Sequence, residues 1–120
     1  MSINYLLDEN LPPLYKVQLL RRHPNLIAWM IGDPGVPPTG TLDPKILLWC
    51  EINNFSLVTN NRSSMPVHLA EHLAQGHHIS GIFVLRPRAE IGQVLDDLIL
   101  IALAENKNEY QDRIVHIPLS

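Results

Sequence analysis

The stretch FSLVTNNRSSMPVHLAEHLAQGHHISGIFVL, Phe55 to Leu85, reads as one complete strand–helix–strand unit. Phe55 to Thr59 is a short apolar run with little alternation, the pattern of a strand covered on both faces. It stops at Asn60-Asn61-Arg62-Ser63-Ser64, residues that bend the chain through side-chain hydrogen bonds. Pro66 suits the first turn of a helix, and Val67, Leu69, Ala70 and Leu73 give that helix an apolar side. Gly76 ends it, and the run from Ile79 to Leu85 contains a second buried strand, GIFVL. Two apolar strands joined by a helix run parallel, because a crossover of that length returns the chain to the same sheet edge.

The flanking sequence repeats the alternation. Ile3 to Leu7 reads as a buried strand ending on Asp8-Glu9-Asn10, and Pro12 or Pro13 opens a helix. Leu14, Val17 and Leu20 recur there at helical spacing, Leu19 widens the stripe, and Pro24 closes it. Leu26 to Ile31 is a further strand. Gly32 to Thr41, GDPGVPPTGT, holds three glycines and three prolines in ten residues, so it is neither helix nor central strand. A loop this long in a small domain is usually functional or mobile. Asp43-Pro44 reads as an N-cap followed by a first-turn proline, with Ile46, Leu47, Cys50 and Asn54 on one face. Glu90 to Glu105 predicts the longest helix, and Arg113 to Ile117 a last strand. The expectation is one α/β domain over residues 1–120: a three-layer α/β/α sandwich around a mostly parallel sheet of about five strands.

Composition narrows the function classes. The 120 residues carry 9 Lys plus Arg against 12 Asp plus Glu, a net charge of −3, which argues against a strongly basic nucleic-acid binder but not against a local basic patch. One cysteine, Cys50, leaves no internal disulfide and no thiolate zinc cluster. No apolar run approaches the roughly 18 residues of a membrane span, and no signal peptide opens the chain, so a cytoplasmic protein is expected. With 46% apolar and only 18% charged residues, part of the apolar excess is expected at a homodimer interface.

In an open parallel sheet, sites form outside the carboxyl ends of the strands. Asp8-Glu9-Asn10, Asp33 and Asn60-Asn61-Arg62 fall there, and Asp43 opens a helix nearby. Clustered carboxylates suit Mg2+ or Mn2+, which prefer oxygen ligands. The same residues also end strands and cap helices with no further role. Glu9 points away from Asp8 if the strand continues. Arg62, Arg86 and Arg88 follow the third and fourth strands and form either a phosphate-binding rim or ordinary surface charge. His68-Leu69-Ala70-Glu71-His72 matches the H-x-x-E-H order of inverted zinc peptidases, with His77, His78, Glu90 or Glu105 as the third ligand; a solvated helix face is the simpler explanation, since five-residue matches arise by chance and the domain is small for a peptidase cleft. No glycine-rich dinucleotide motif, Walker pattern or Cys-x-x-Cys occurs.

At three places the chain resembles the PIN-like family of small proteins related to PIN-domain toxin ribonucleases. They are LLDENLP at Leu6 to Pro12, DPKIL at Asp43 to Leu47, and LVTNNR at Leu57 to Arg62; the GIFVL strand and the long helix from Glu90 also fit. The resemblance implies an acidic Mg2+ or Mn2+ site holding Asp8 and Asp43, with Asn61 as third ligand, and Glu9, Asn10, Thr59 and Asn60 in support. It also implies a toxin-like ribonuclease with an RNA substrate and an antitoxin-like protein partner. The family pattern places acids where this chain has Asn61 and Ser63, which lowers the charge available to a divalent ion. Two classes therefore stay open: a metal-dependent endoribonuclease, and a catalytically degenerate binding protein on the same fold.

Overall fold

A computed structural model describes residues 3–104 and 107–119. The elements in order are β1 (Tyr5–Leu7), α1 (Leu14–Arg22), β2 (Ala28–Met30), α2 (Asp43–Asn53), β3 (Ser56–Thr59), α3 (Met65–Ala74), β4 (Ile82–Leu85), α4 (Ile91–Leu103) and β5 (Ile114–Ile117). A 3-10 turn over Lys107–Tyr110 precedes β5. The five strands form one sheet in the order β2-β1-β3-β4-β5, and every pairing is parallel. The expected α/β sandwich is the observed fold.

Strand side chains alternate between faces, and two cores follow from that alternation. Tyr5, Leu7, Val58 and Phe83 face one core with Leu19 of α1 and Val94, Leu98 and Ile101 of α4. Leu6, Leu57, Ile82 and Val84 face the other, with Ile46, Leu47 and Cys50 of α2 and Met65 and Leu69 of α3. β1, β3 and β4 are buried at every position, which is why their sequences run apolar rather than alternating. No described helix is long and apolar enough to cross a membrane.

The helical stripes needed correction. Tyr15 and Leu19 are the buried residues of α1, whereas Leu14 and Val17 are about half exposed. On α3 the core takes Met65, Leu69 and His72 and leaves Val67 outside. Leu19 and Leu69 are buried as their spacing predicts, while Tyr15 and His72 fill buried positions that a stripe of aliphatic residues does not mark. The helix that was expected to reach Glu105 ends at Leu103 within the described residues, and Glu105 itself lies outside them.

Gly81 lets two segments meet. A Cβ there would stand 3.1 Å from Tyr110 Cβ and 3.2 Å from its carbonyl oxygen, closer than packed carbon atoms sit.

A long-range bond ties the first strand to the last helix. The Tyr5 hydroxyl donates to the Leu98 carbonyl at 2.7 Å inside the core, and burial pushes the phenol pKa up. Tyr5→Phe keeps the ring and its edge contact with Phe83 and removes only this bond. A loss of about 1 kcal/mol is expected, read as a fall in melting temperature of about 3–5 °C for a domain of this size. An unchanged melting curve would show that the bond adds nothing to stability.

Candidate functional site

The strand order reverses direction between β1 and β3: the chain passes from β1 to β2 on one side, then returns to place β3 on the other. The connections leaving β1 and β3 diverge there and open a crevice at their carboxyl ends. A cleft of about 430 Å3 occupies that crevice, lined by Asp8, Glu9, Asn10, Asp43, Asn61 and His68 and by the loop residues Gly40 to Leu42.

Asp8 is the residue after β1 and is 5% exposed. Its Oδ1 accepts the Glu9 N–H at 2.8 Å, and its Oδ2 accepts the Thr59 hydroxyl at 2.7 Å. Thr59 ends β3, is fully buried, and accepts the Asn61 N–H at 3.1 Å on the same oxygen. The Asn61 side chain in turn donates from Nδ2 to Asp43 Oδ2 at 2.9 Å and to Ser64 Oγ at 2.7 Å. One chain of bonds therefore runs Asp43–Asn61–Thr59–Asp8 across the mouth of the crevice. Its order fixes the Asn61 amide: Asp43 only accepts, and the Ser64 N–H, 3.3 Å from Oδ1, only donates.

That orientation differs from the expected one. Asn61 was expected beside Asp8 with its oxygen free for a cation. It instead presents its nitrogen to Asp43, and its oxygen serves the Ser64 N–H at the start of α3. Asp43 also departs from expectation. Leu42 occupies the N-cap position and Asp43 is the first helical residue, with no side-chain capping bond. Its carboxylate favours the helix N-terminus through the dipole and is free to face the cleft.

Other expected residues divide. β1 stops at Leu7, so Glu9 does not leave for the other face of a continuing strand: it lines the same cleft as Asp8, and its Oε1 accepts the Gly40 N–H at 2.8 Å, pinning the long loop against the cleft. Asn10 lines the wall. Asn60 is exposed and outside the lining. Asp33 leaves the acidic group altogether. It accepts Lys16 Nζ at 2.6 Å and the Met30 N–H at 2.8 Å, and although burial raises its pKa, those two donors override it and hold the carboxyl below its usual value. Arg62 donates to the Leu85 carbonyl and Arg86 to that of Pro118, while Arg88 is exposed with φ 60°. The three arginines thus follow β3 and β4 along the same edge, outside the cleft.

The zinc pattern is not assembled. His68 Nε2 stands 3.6 Å from Asp43 Oδ2, whereas His72 Nε2 meets the His78 carbonyl at 2.9 Å, so the two rings serve different elements. His77 and His78 are engaged by Glu51 and Asp112. Among the described residues no group of three or more His, Cys, Asp or Glu side chains is arranged to hold a metal ion. What the zinc pattern did mark is His68 in the acidic cleft. Its position one turn into α3 was the available signal, since the first turn after β3 must face the same crevice.

The Asp8 carboxyl is held above the ordinary range. Burial is the main cause. The Thr59 hydroxyl and Glu9 N–H oppose it, and the charges of Asp43 and Glu9 add to it. The donor set fits one Mg2+ or Mn2+ ion. Of the three carboxylates lining the cleft, Glu9 is engaged by the Gly40 N–H, which leaves Asp8 and Asp43; each oxygen of Asp8 keeps a lone pair beyond its one bond, and Mg2+ is commonly held by one or two carboxylates with water completing the shell. It does not fit a pair of ions, which needs bridging carboxylates; Asn61 and Ser63 stand where acids were expected.

A raised folded pKa means that proton uptake favours the fold. That contribution is complete below the usual Asp value of 3.8 and is lost as pH rises through the higher folded value. Asp8→Asn should therefore raise the melting temperature by a few degrees at neutral pH in chelator, and the gain should vanish near about pH 3. Melting curves across that range check it, and a loss of stability at neutral pH would overturn the desolvation argument.

Comparison of the chain with family models, with curated proteins and with solved structures gave no match.

Proposed function

We propose that the chain binds a single Mg2+ or Mn2+ ion between Asp8 and Asp43 and uses this edge of the sheet on single-stranded RNA, as a weak endoribonuclease of PIN-like type. The observation that carries the reading is the pairing of a buried carboxylate with a partly exposed one in a single cleft at the sheet's reversal point, neither spent on a helix cap. Burial that disfavours the Asp8 anion is relieved by a cation, so the unfavourable desolvation becomes affinity.

Each residue then has a task. Asp8, aimed by Thr59 and the Glu9 N–H, is the fixed anionic ligand. Asp43 is the second, and Asn61 holds its Oδ2 in place. Glu9 keeps the Gly40 loop against the cleft. Arg62, Arg86 and Arg88 lie along the β3–β4 side of the edge, where guanidinium groups suit phosphate oxygens. The bound ion would polarise a phosphoryl oxygen and lower the pKa of an attacking water.

A second reading has its own support. With the Asn61 amide donating to Asp43, the cleft already contains a neutral partner for one carboxylate, which favours recognition of RNA or a protein without cleavage.

Calorimetric titration with MgCl2 and MnCl2 tests the first claim. Wild type should bind one ion, and Asp8→Asn or Asp43→Asn should weaken binding by about tenfold or more, about 1.4 kcal/mol. No heat from either ion ends the metal reading. Cation binding and RNA retention without cleavage select the degenerate one.

Asn61→Asp separates the two further. It replaces a donor to Asp43 with a like charge, so the apo protein should lose about 1–3 kcal/mol. Mn2+ affinity should rise, because a hard cation gains a charged oxygen, and single-stranded RNA cleavage should increase. Equal affinity in the two proteins would remove position 61 from the ion's surroundings.

A further inference from the structure

A larger concavity lies at the opposite, amino-terminal edge of the sheet. Its volume is about 660 Å3, in the range of small-molecule sites. The leads into all five strands form its wall: Ile3 and Asn4 before β1, Ile27 before β2, Ser56 at the start of β3, Ser80 before β4 and Gln111 before β5.

The lining is rich in side-chain amides, namely Asn4, Asn25, Asn54, Asn108 and Gln111. An amide side chain carries an acceptor beside a two-proton donor, the pairing that amides use on the edges of nucleobases; of the five, Asn54 already accepts the Ser80 hydroxyl at 3.2 Å on its Oδ1. Ile3, Ile27 and Ile79 add apolar surface against which a flat ring packs.

The electrostatics disfavour an anion. α2 ends here on Asn54, so the negative end of its dipole faces the cavity. Glu51 adds a carboxylate to the wall. No lysine or arginine lines it among the described residues, and the His78 ring is already paired with Asp112 at 2.7 Å.

Ser56 supplies the second, independent sign of a ligand. The residue is 0% exposed, lies on the cavity wall, and its hydroxyl has no hydrogen-bond partner among the described residues. A buried hydroxyl left unpaired is unfavourable, and a ligand that shifts the wall covering Ser56 and reaches its oxygen satisfies it. We propose that this cavity is a binding site for an uncharged nucleobase or nucleoside, built independently of the Asp8–Asp43 cleft.

Calorimetry or NMR titration of the full chain with adenosine, guanosine, cytidine, uridine and the free bases tests the assignment. At least one should bind saturably and shift the amides of Ser56 and Ser80. The matching 5′-monophosphate should bind about tenfold more weakly because of the carboxylate and the helix end. Ser56→Ala breaks no bond in the free protein, so its melting temperature should hold while nucleoside affinity falls several-fold. Asp8→Asn should leave nucleoside binding intact whatever becomes of the ion. Absence of binding by every base and nucleoside overturns the proposal. So does equal affinity for the monophosphate, or affinity untouched by Ser56→Ala.

Discussion

Covering β3 on both faces is the constraint on which the rest of the molecule depends. Leu57 faces the core under α2 and α3, Val58 faces the core under α1 and α4, and both are fully buried. A strand so enclosed has no solvent to serve the polar groups at its end. Thr59, its last residue, must find protein partners, because a buried hydroxyl without one is costly. It donates to Asp8 and accepts from Asn61. The packing of the sheet and the wiring of the acidic cleft are therefore one problem, solved at one residue.

The cleft is electrostatically unfavourable as it stands. Asp8 is desolvated, and the charge of Asp43 acts on it across the crevice. Asn61 lessens the burden by giving Asp43 a neutral donor and adding no further negative charge. An acid at that position would add a further like charge to the cleft and cost stability. This chain carries a neutral amide at that position instead.

The long loop from Gly32 to Thr41 shows how a segment without regular structure becomes part of a site. Asp33 anchors its start to α1 through Lys16 and to β2 through the Met30 N–H. Glu9 anchors its end through Gly40. Between those ties the turn holds Gly32 at φ 96°, and its N–H bonds to the Pro37 carbonyl. Two acidic residues that a charge count would assign to a metal cluster are instead spent on positioning the wall.

The alternation of apolar runs with helical stretches was enough to establish a parallel sheet covered on both sides, because strands buried on two faces carry no polar alternation and crossovers have one practical geometry. The placement of Asp8, Asp43 and Asn61 near one edge followed from the same order, since residues after parallel strands must share an end. Spacing alone was not enough for the helix faces: Tyr15 and His72 are buried, whereas Leu14 and Val67 are exposed. Nor did spacing reveal that Asp33 turns to Lys16, that His68 and His72 serve different partners, or that the Asn61 amide gives its nitrogen to Asp43. The sequence by itself determined the elements, their order and the edge where the acids gather, because those follow from local periodicity and chain continuity. Only the tertiary structure decided which donor faces which acceptor, because hydrogen-bond partners are chosen among groups brought together from distant parts of the chain, at distances that no local pattern encodes.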